Sequence, residues 1–409
     1  MNSIHIKYVD GGVTAPAGFK ASGTFGGIRH SGDKSDMALV YSEKQGNVAA
    51  VFTKNKIQAA HIKVMKKFIQ DGKAQAVLCN SGNANACTAD GEDTAIKTCE
   101  MTAAALGIRT EDVMPASTGV IGVPMPIEPF ERGIPALVSG LSASGSMEAA
   151  TAIMTTDTLP KEYAVSFPIA GKNCKIGGIA KGSGMIHINM GTMLSFMTTD
   201  CAISAEMLDK ALKTVIEDTF NQVTVDGDTS TNDTLAIIAN GMAGNPEITS
   251  ENEDFKAFCA ALHEICIVFA KKIAGDGEGC TRLLEVHVTN APTKEAARDI
   301  SKTVVGSNLV KAAMFAADAN WGRIIDAAGY AESDFSVDNI DVTIMSDKGE
   351  LIVCRGTAAV PFSEEKAAEV LDREAVTVEI DLHDGTEEAY AWGCDLTFEY
   401  VRINAEYRT

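Results

Sequence analysis

Lys181-Gly-Ser-Gly-Met-Ile-His-Ile-Asn-Met-Gly-Thr-Met-Leu-Ser-Phe-Met-Thr-Thr-Asp200 carries no charged residue between its two ends. Met190 to Leu194 reads as a buried strand, and Gly182 and Gly184 make an adaptable approach to it. A threonine in such a strand is ordinarily bonded to backbone, because an unpaired hydroxyl in an apolar interior is costly. A second reading gives Thr192 a chemical task. A cut between Gly191 and Thr192 would leave a free α-amine beside the threonine hydroxyl. That amine titrates near neutrality and can act as the base for the hydroxyl.

The flanking sequence decides what kind of molecule holds this stretch. Upstream, Ala164–Pro168 and Cys174–Ala180 predict a hairpin turning at Gly171-Lys-Asn173, and Ala152–Asp157 predicts a strand end. Downstream, Ser204 caps a helix bearing Met207, Leu208, Ala211, Leu212, Val215 and Ile216 on one stripe. Further helices are predicted over about 93–106, much of 126–150, 252–273 and 294–317. Strands are predicted at 37–41, 48–53, 75–79 and 283–288. Two C-terminal hairpins pair Val342–Met345 with Leu351–Cys354, and Val376–Leu382 with Tyr390–Val401. Mixed elements without strict β-α-β alternation predict an α/β (α+β) fold of antiparallel sheets covered by helices.

The chain has 409 residues, 45% of them apolar and 22% charged, which is a globular composition. Its net charge of −20 argues against nucleic acid and anionic membrane as partners, since phosphate contact needs clustered cations. Ten cysteines without a C-x-x-C pair suit reduced thiols and a cytoplasmic location, and no run approaches a membrane span. There is no dinucleotide fingerprint, P-loop, H-E-x-x-H or G-x-S-x-G. The aspartates of Val225–Thr234 resemble a calcium loop, but Thr231 stands where that loop needs glycine. No metal is expected, and His187 reads as structural. The turn at Thr118-Gly119 can point backbone amides at a ligand; the plainer reading is a tight turn feeding a strand.

At Lys181–Asp200 the chain resembles the arginine-biosynthesis ornithine acetyltransferases, also called glutamate N-acetyltransferases. Their pattern is K-G-S-G-M-I, N-M-A-T-M-L and T-D. Further matches run through the whole chain: Val13–Phe19, Asn80–Ala86, Ser117–Gly122, Val225–Asp233, Ala274–Gly279, Ala319–Arg323 and Asn404–Thr409. The resemblance implies an α/β/β/α sandwich that cleaves itself between Gly191 and Thr192. Residues 1–191 would form an α chain and residues 192–409 a β chain, associated as an α2β2 heterotetramer. It implies Thr192 as nucleophile, taking acetyl from N-acetylornithine and passing it to glutamate. It implies Thr118 and Gly119 as the oxyanion pair, and Thr155, Lys181, Thr192, Glu278, Asn404 and Thr409 as substrate contacts. No permanently bound cofactor is implied; acetyl-CoA as an additional donor stays open. Two positions depart from the pattern: Gly191 replaces the usual alanine, and Ile188 stands where proline is common. An N-terminal-nucleophile aminopeptidase or amidase, and a non-catalytic binder of an amino-acid derivative, are the competing readings.

Overall fold

The computed structural model describes residues 5–29, 34–188 and 193–406. Two sheets divide the strands in chain order. The first holds β1 (Lys7–Val9), β2 (Phe19–Thr24), β3 (Met37–Phe52), β4 (Lys73–Asn80), β5 (Val113–Ser117), β6 (Lys161–Ile169), β7 (Lys172–Lys181), β8 (Leu194–Thr199) and β9 (Thr234–Ala239). The second holds β10 (Leu283–Ala291), β11 (Asp341–Ser346), β12 (Gly349–Arg355), β13 (Ala358–Ala359), β14 (Ala375–Asp381) and β15 (Glu387–Cys394). The helices are α1 (Ala60–Phe68), α2 (Gly91–Leu106), α3 (Glu128–Ser139), α4 (Ser146–Ala152), α5 (Ala205–Ile216), α6 (Glu253–Ala274), α7 (Lys294–Gly306), α8 (Asn308–Phe315), α9 (Trp321–Gly329), α10 (Glu364–Leu371) and α11 (Phe398–Glu406). None of these helices is long and apolar enough to cross a membrane.

The first sheet runs β1-β6-β7-β8-β9-β3-β4-β5, with β2 also paired to β3. Its central strands are buried on both faces. Ile179, Leu194, Phe196, Ala236 and Ile238 pack with α4, whereas Ile176, Ala180, Met197, Leu235 and Ile237 pack with α5 and α6. Every residue of β8 and β9 is buried, so neither segment alternates apolar with polar residues as a half-exposed strand does. The second sheet, ordered β13-β12-β11-β14-β10-β15, buries one face against α7, α9 and α10. Its strands alternate buried and half-exposed residues.

The α/β class holds, and the β6–β7 hairpin, the cap at Ser204 and the helix at about 252–273 form as expected. Several local expectations do not. β4–β5, β8–β9 and β10–β14 are parallel, so neither sheet is purely antiparallel. β14 and β15 are not hairpin partners; β10 inserts between them, pairing with both, and residues 398–406 coil into α11. The two strands expected at 37–41 and 48–53 are one strand, β3, whose pairing with β4 shifts register between Tyr41 and Gly46. The helix expected over 294–317 breaks at Ser307, whose hydroxyl accepts from the Val310 N–H and starts α8. Ala152 ends a helix rather than opening a strand, and a loop carries the chain to β6. The expected strand at Met190–Leu194 lies mostly outside the described residues; β8 begins at Leu194.

Candidate active site

A cleft of about 850 Å³, open to solvent, lies where β5, β7, β8 and β9 meet the base of α11. Thr118, Gly119, Thr155, Lys181, Glu278 and Asn404 all line it, although they come from sequence positions almost three hundred residues apart. Thr192, Gly191 and Thr409 lie outside the described residues. Met193 and Leu194, which follow Thr192 directly in sequence, line the same cleft.

Chain geometry explains how the oxyanion candidates reach this place. Thr118 follows β5, and Gly119 has φ of +131°, where a side chain is strained. A Cβ at Gly119 would also fall 2.7 Å from the Gly82 carbonyl carbon, so the turn passes over the Gly82–Asn83 backbone only because it lacks one. The Thr118 N–H donates to the Asn80 carbonyl at 2.9 Å and is already engaged. The expectation of two backbone donors therefore narrows. The Thr118 hydroxyl and the Gly119 N–H are the groups here without an acceptor among the described residues.

Lys181 ends β7 with only 8% of its surface exposed, so its charge is not a solvated one. Its ammonium has no hydrogen bond or ion pair within contact distance among the described residues. A buried cation without a direct counter-ion is costly unless an anion arrives. Beneath it lies an ionic cluster that sequence reading did not find. The Lys161 ammonium donates to Asp157 Oδ1 at 2.8 Å and to Asp276 Oδ2 at 2.5 Å, and all three residues are buried. Burial pushes the Asp157 carboxyl up, but the charges of Lys181 and Lys161 outweigh it and hold the group at about 2. Asp157 also accepts from the N–H groups of Gly182 (2.7 Å) and Thr155 (3.1 Å). Asp276 accepts from the Thr158 N–H, and the Ser183 hydroxyl donates to the Asp276 carbonyl at 2.7 Å. The cluster thus fixes Thr155, the Lys181–Ser183 strand end and the loop bearing Glu278.

Asn232 sets the opposite wall. Its side-chain amide donates to the carbonyls of Ala84 (2.6 Å) and Ser117 (2.8 Å), tying the 80–86 loop to the end of β5. Ser230, Thr231 and Asp233 line the cleft beside it. The polar loop dismissed as a calcium site is therefore a cleft wall, and the available signal was three polar residues running straight into the buried strand β9. No such signal marked Lys161, a lysine at the start of a strand.

The rim is more exposed. Half-buried Glu278 sits so close over Gly184 that a Cβ there would fall 2.4 Å from its carboxyl carbon. Asn404 of α11 donates to Glu278 Oε2 at 2.8 Å. No residue of α11 is buried, so polar anchors hold it: Thr397 Oγ1 donates to the Gly279 carbonyl at 2.7 Å and the Tyr400 hydroxyl to Asp226 at 3.2 Å. Asp226 in turn accepts from the N–H groups of Met185 and Ile186, which line the cleft. His187 lies behind this wall, its Nδ1 3.1 Å from Thr224 Oγ1, and burial pushes its pKa down to about 4. That is the structural role expected of it. Among the described residues no three His, Cys, Asp or Glu side chains gather as metal ligands would.

The arrangement offers a buried cation without a direct ion pair among the described residues, a rim carboxylate and two unengaged donors around one space, which suits a zwitterionic substrate with a reacting carbonyl. The model of the ArgJ family matches residues 20–409. The chain is 47% identical over 405 residues to the arginine biosynthesis bifunctional protein ArgJ of Caldanaerobacter subterraneus subsp. tengcongensis, covering 99% of this chain and 100% of that protein. It is 48% identical over 406 residues to the protein of the same name from Symbiobacterium thermophilum, covering 99% and 100%. Among solved structures it is similar to a chain of the arginine biosynthesis bifunctional protein ArgJ from Bacillus halodurans: 45% identity, 52% of this chain and 98% of that chain covered, TM-score 0.49.

Proposed function

Because the chain belongs to the ArgJ family, we propose that its cleft carries out acetyl transfer from N2-acetyl-L-ornithine to L-glutamate through an acetyl-threonine at Thr192. The protein is an acyltransferase of arginine biosynthesis. The observation that carries the finer reading is the convergence of Thr118, Gly119, Thr155, Lys181, Glu278 and Asn404 on one cleft beside Met193, the residue after Thr192.

In this reading the chain cuts itself between Gly191 and Thr192 into segments 1–191 and 192–409, which stay together as an α2β2 heterotetramer in the cytoplasm. The new α-amine takes the proton of the Thr192 hydroxyl as Oγ attacks the acetyl carbonyl. The oxygen charge that develops meets the Gly119 N–H and the Thr118 hydroxyl; a positioned donor there is worth about 3 kcal/mol. The C–N bond then breaks, and the proton goes to the departing amine of ornithine. Glutamate enters with its α-amine unprotonated, attacks the acetyl-threonine, and leaves as N-acetylglutamate. Lys181 meets the α-carboxylate that both amino acids share, and Glu278 with Asn404 meets the ammonium end of ornithine. Thr155 and Thr409 complete the substrate contacts. Acetyl-CoA is proposed as a second donor, consistent with the bifunctional name of the relatives.

Intact mass under denaturing conditions tests the cleavage. Two species of roughly 20 and 23 kDa place the cut before Thr192, whereas a single 43.1 kDa species leaves Thr192 without its base. Supplying N-acetylornithine with and without glutamate tests the transfer. Ornithine release that depends on glutamate supports it, and equal free acetate in both arms makes the protein a hydrolase instead.

A further inference from the structure

The loop that presents Glu278 holds a second chemical feature. Cys280 is half-buried at its end, closing a turn through its N–H to the Gly277 carbonyl at 2.9 Å, and its thiol lies 3.2 Å from the Gly275 carbonyl. Cys394, buried at the end of β15, pushes its sulfur against the same turn: a Cβ at Gly277 would fall 2.7 Å from Cys394 Sγ. The two thiols are near enough to perturb each other's titration, Cys280 being raised and Cys394 lowered. Buried Lys311 of α8 completes the group. Its ammonium donates to the Cys394 carbonyl and lies 3.6 Å from Cys394 Sγ, with no carboxylate in ion-pair distance among the described residues.

We propose that Cys280 and Cys394 form a reversible disulfide that resets the Glu278 contact with substrate. The neighbouring Cys280 thiol and the buried Lys311 cation both favour a thiolate on Cys394, the nucleophilic form in thiol–disulfide exchange. Exposure makes Cys280 the sulfur that a small disulfide reaches. As Cys280 Sγ attacks the reagent its proton passes to the Cys394 thiolate, one reagent thiolate is expelled, and a mixed disulfide is left on Cys280. Cys394 then attacks Cys280 Sγ, the protein S–S bond forms, and the second reagent thiol leaves. Two electrons pass from the two cysteines to the low-molecular-weight disulfide; the one proton of the pair leaves on the second reagent thiol, and the first released thiolate takes a proton from water. Closing to an S–S length of about 2 Å obliges Cys280 Sγ to leave the Gly275 carbonyl. That drags the Gly277–Gly279 turn, and Glu278 with it. Cys174 and Cys201 also perturb each other's titration, but both are fully buried and no cation contacts their sulfurs among the described residues.

The effect on substrate rests on the acetyl-transfer reading, whereas the thiol map does not, so the two can fail separately. The full enzyme is treated with glutathione disulfide, digested without reduction and mapped. A Cys280–Cys394 linkage is expected, with the other eight of ten cysteines still thiols. KM for N-acetylornithine is expected to rise roughly fivefold or more, and dithiothreitol to reverse it. Cys394→Ser stops at the glutathione adduct on Cys280, and Cys280→Ser takes up no glutathione at this loop. Absence of the linkage in the wild-type map, or linkage at Cys174–Cys201 in its place, overturns the site. Linkage with KM unchanged overturns its control of Glu278.

Discussion

The floor and the rim of the cleft use the same chemistry under opposite conditions. In the floor, Lys161 stands between Asp157 and Asp276 with all three buried, and Lys181 lies above them. On the rim, Glu278 and Asn404 meet in partly exposed positions on a loop and on a helix with no buried residue. Water screens a rim contact and replaces it when broken, whereas nothing replaces a floor contact. The floor therefore sets stability and geometry together, and the rim contributes to binding alone.

The sharpest way to break this contrast is Lys161→Met. It leaves two buried carboxylates facing each other and is expected to cost about 3–5 kcal/mol in urea unfolding, with Lys161→Arg recovering part of it. A Lys161→Met enzyme of unchanged stability would mean the cluster is wetter than its burial indicates. Acid should separate the regions next. Burial holds the fully enclosed His61 at about 4, against a small opposing pull from the Asn232 backbone. A depressed histidine contributes stability present above its unfolded pKa of about 6.5 and lost as pH falls toward 4, on the order of 3 kcal/mol. Asp157 adds a later loss, between its unfolded value of about 3.9 and its folded value of about 2. Urea midpoints measured from pH 7 to 4 should fall in the wild type and fall less in His61→Leu; parallel curves would contradict the neutral buried imidazole.

The remaining substitutions compare binding. Lys181→Met should raise KM for N-acetylornithine and for glutamate alike by about 1.5–3 kcal/mol in ΔΔG, with a smaller stability loss than Lys161→Met because its charge acts on Asp157 without a direct ion pair among the described residues. A rise for one substrate only would separate the carboxylate sites. At the rim, Asn404→Ala should cost only about 1 kcal/mol in kcat/KM, with the unfolding midpoint unmoved. An effect on stability as large as that of Lys161→Met would erase the distinction between the regions.

The two sheets show how legibility in sequence follows burial. β10 and β14 bury one face, so their alternation could be read directly. β8 and β9 bury both faces and lack that alternation, so β9 was not expected as a strand, β8 was expected only up to its first residue, and their parallel pairing could not be foreseen. The inserted β10 defeated the expected β14–β15 hairpin because a suitable turn at His383–Gly385 is compatible with more than one partner. In the site, residues with a sequence pattern around them were found, Lys181 and Glu278 among them. Lys161, Asp276 and Asn232 were not, because their roles depend on neighbours 115, 115 and 148 positions away.

The sequence by itself determined the class of fold, the helices with a clear stripe and cap, and, through its ordered matches to one family, the residues to seek. Those features are written in near neighbours along the chain, where spacing and propensity act. Only the tertiary structure decided strand order, which of the Thr118–Gly119 donors is unengaged among the described residues, that Lys181 is buried without a direct ion pair among them, and that Cys394 packs against the turn of Cys280. Each of these depends on which surfaces exclude water from one another, and burial is a property of the packed chain rather than of any segment of it.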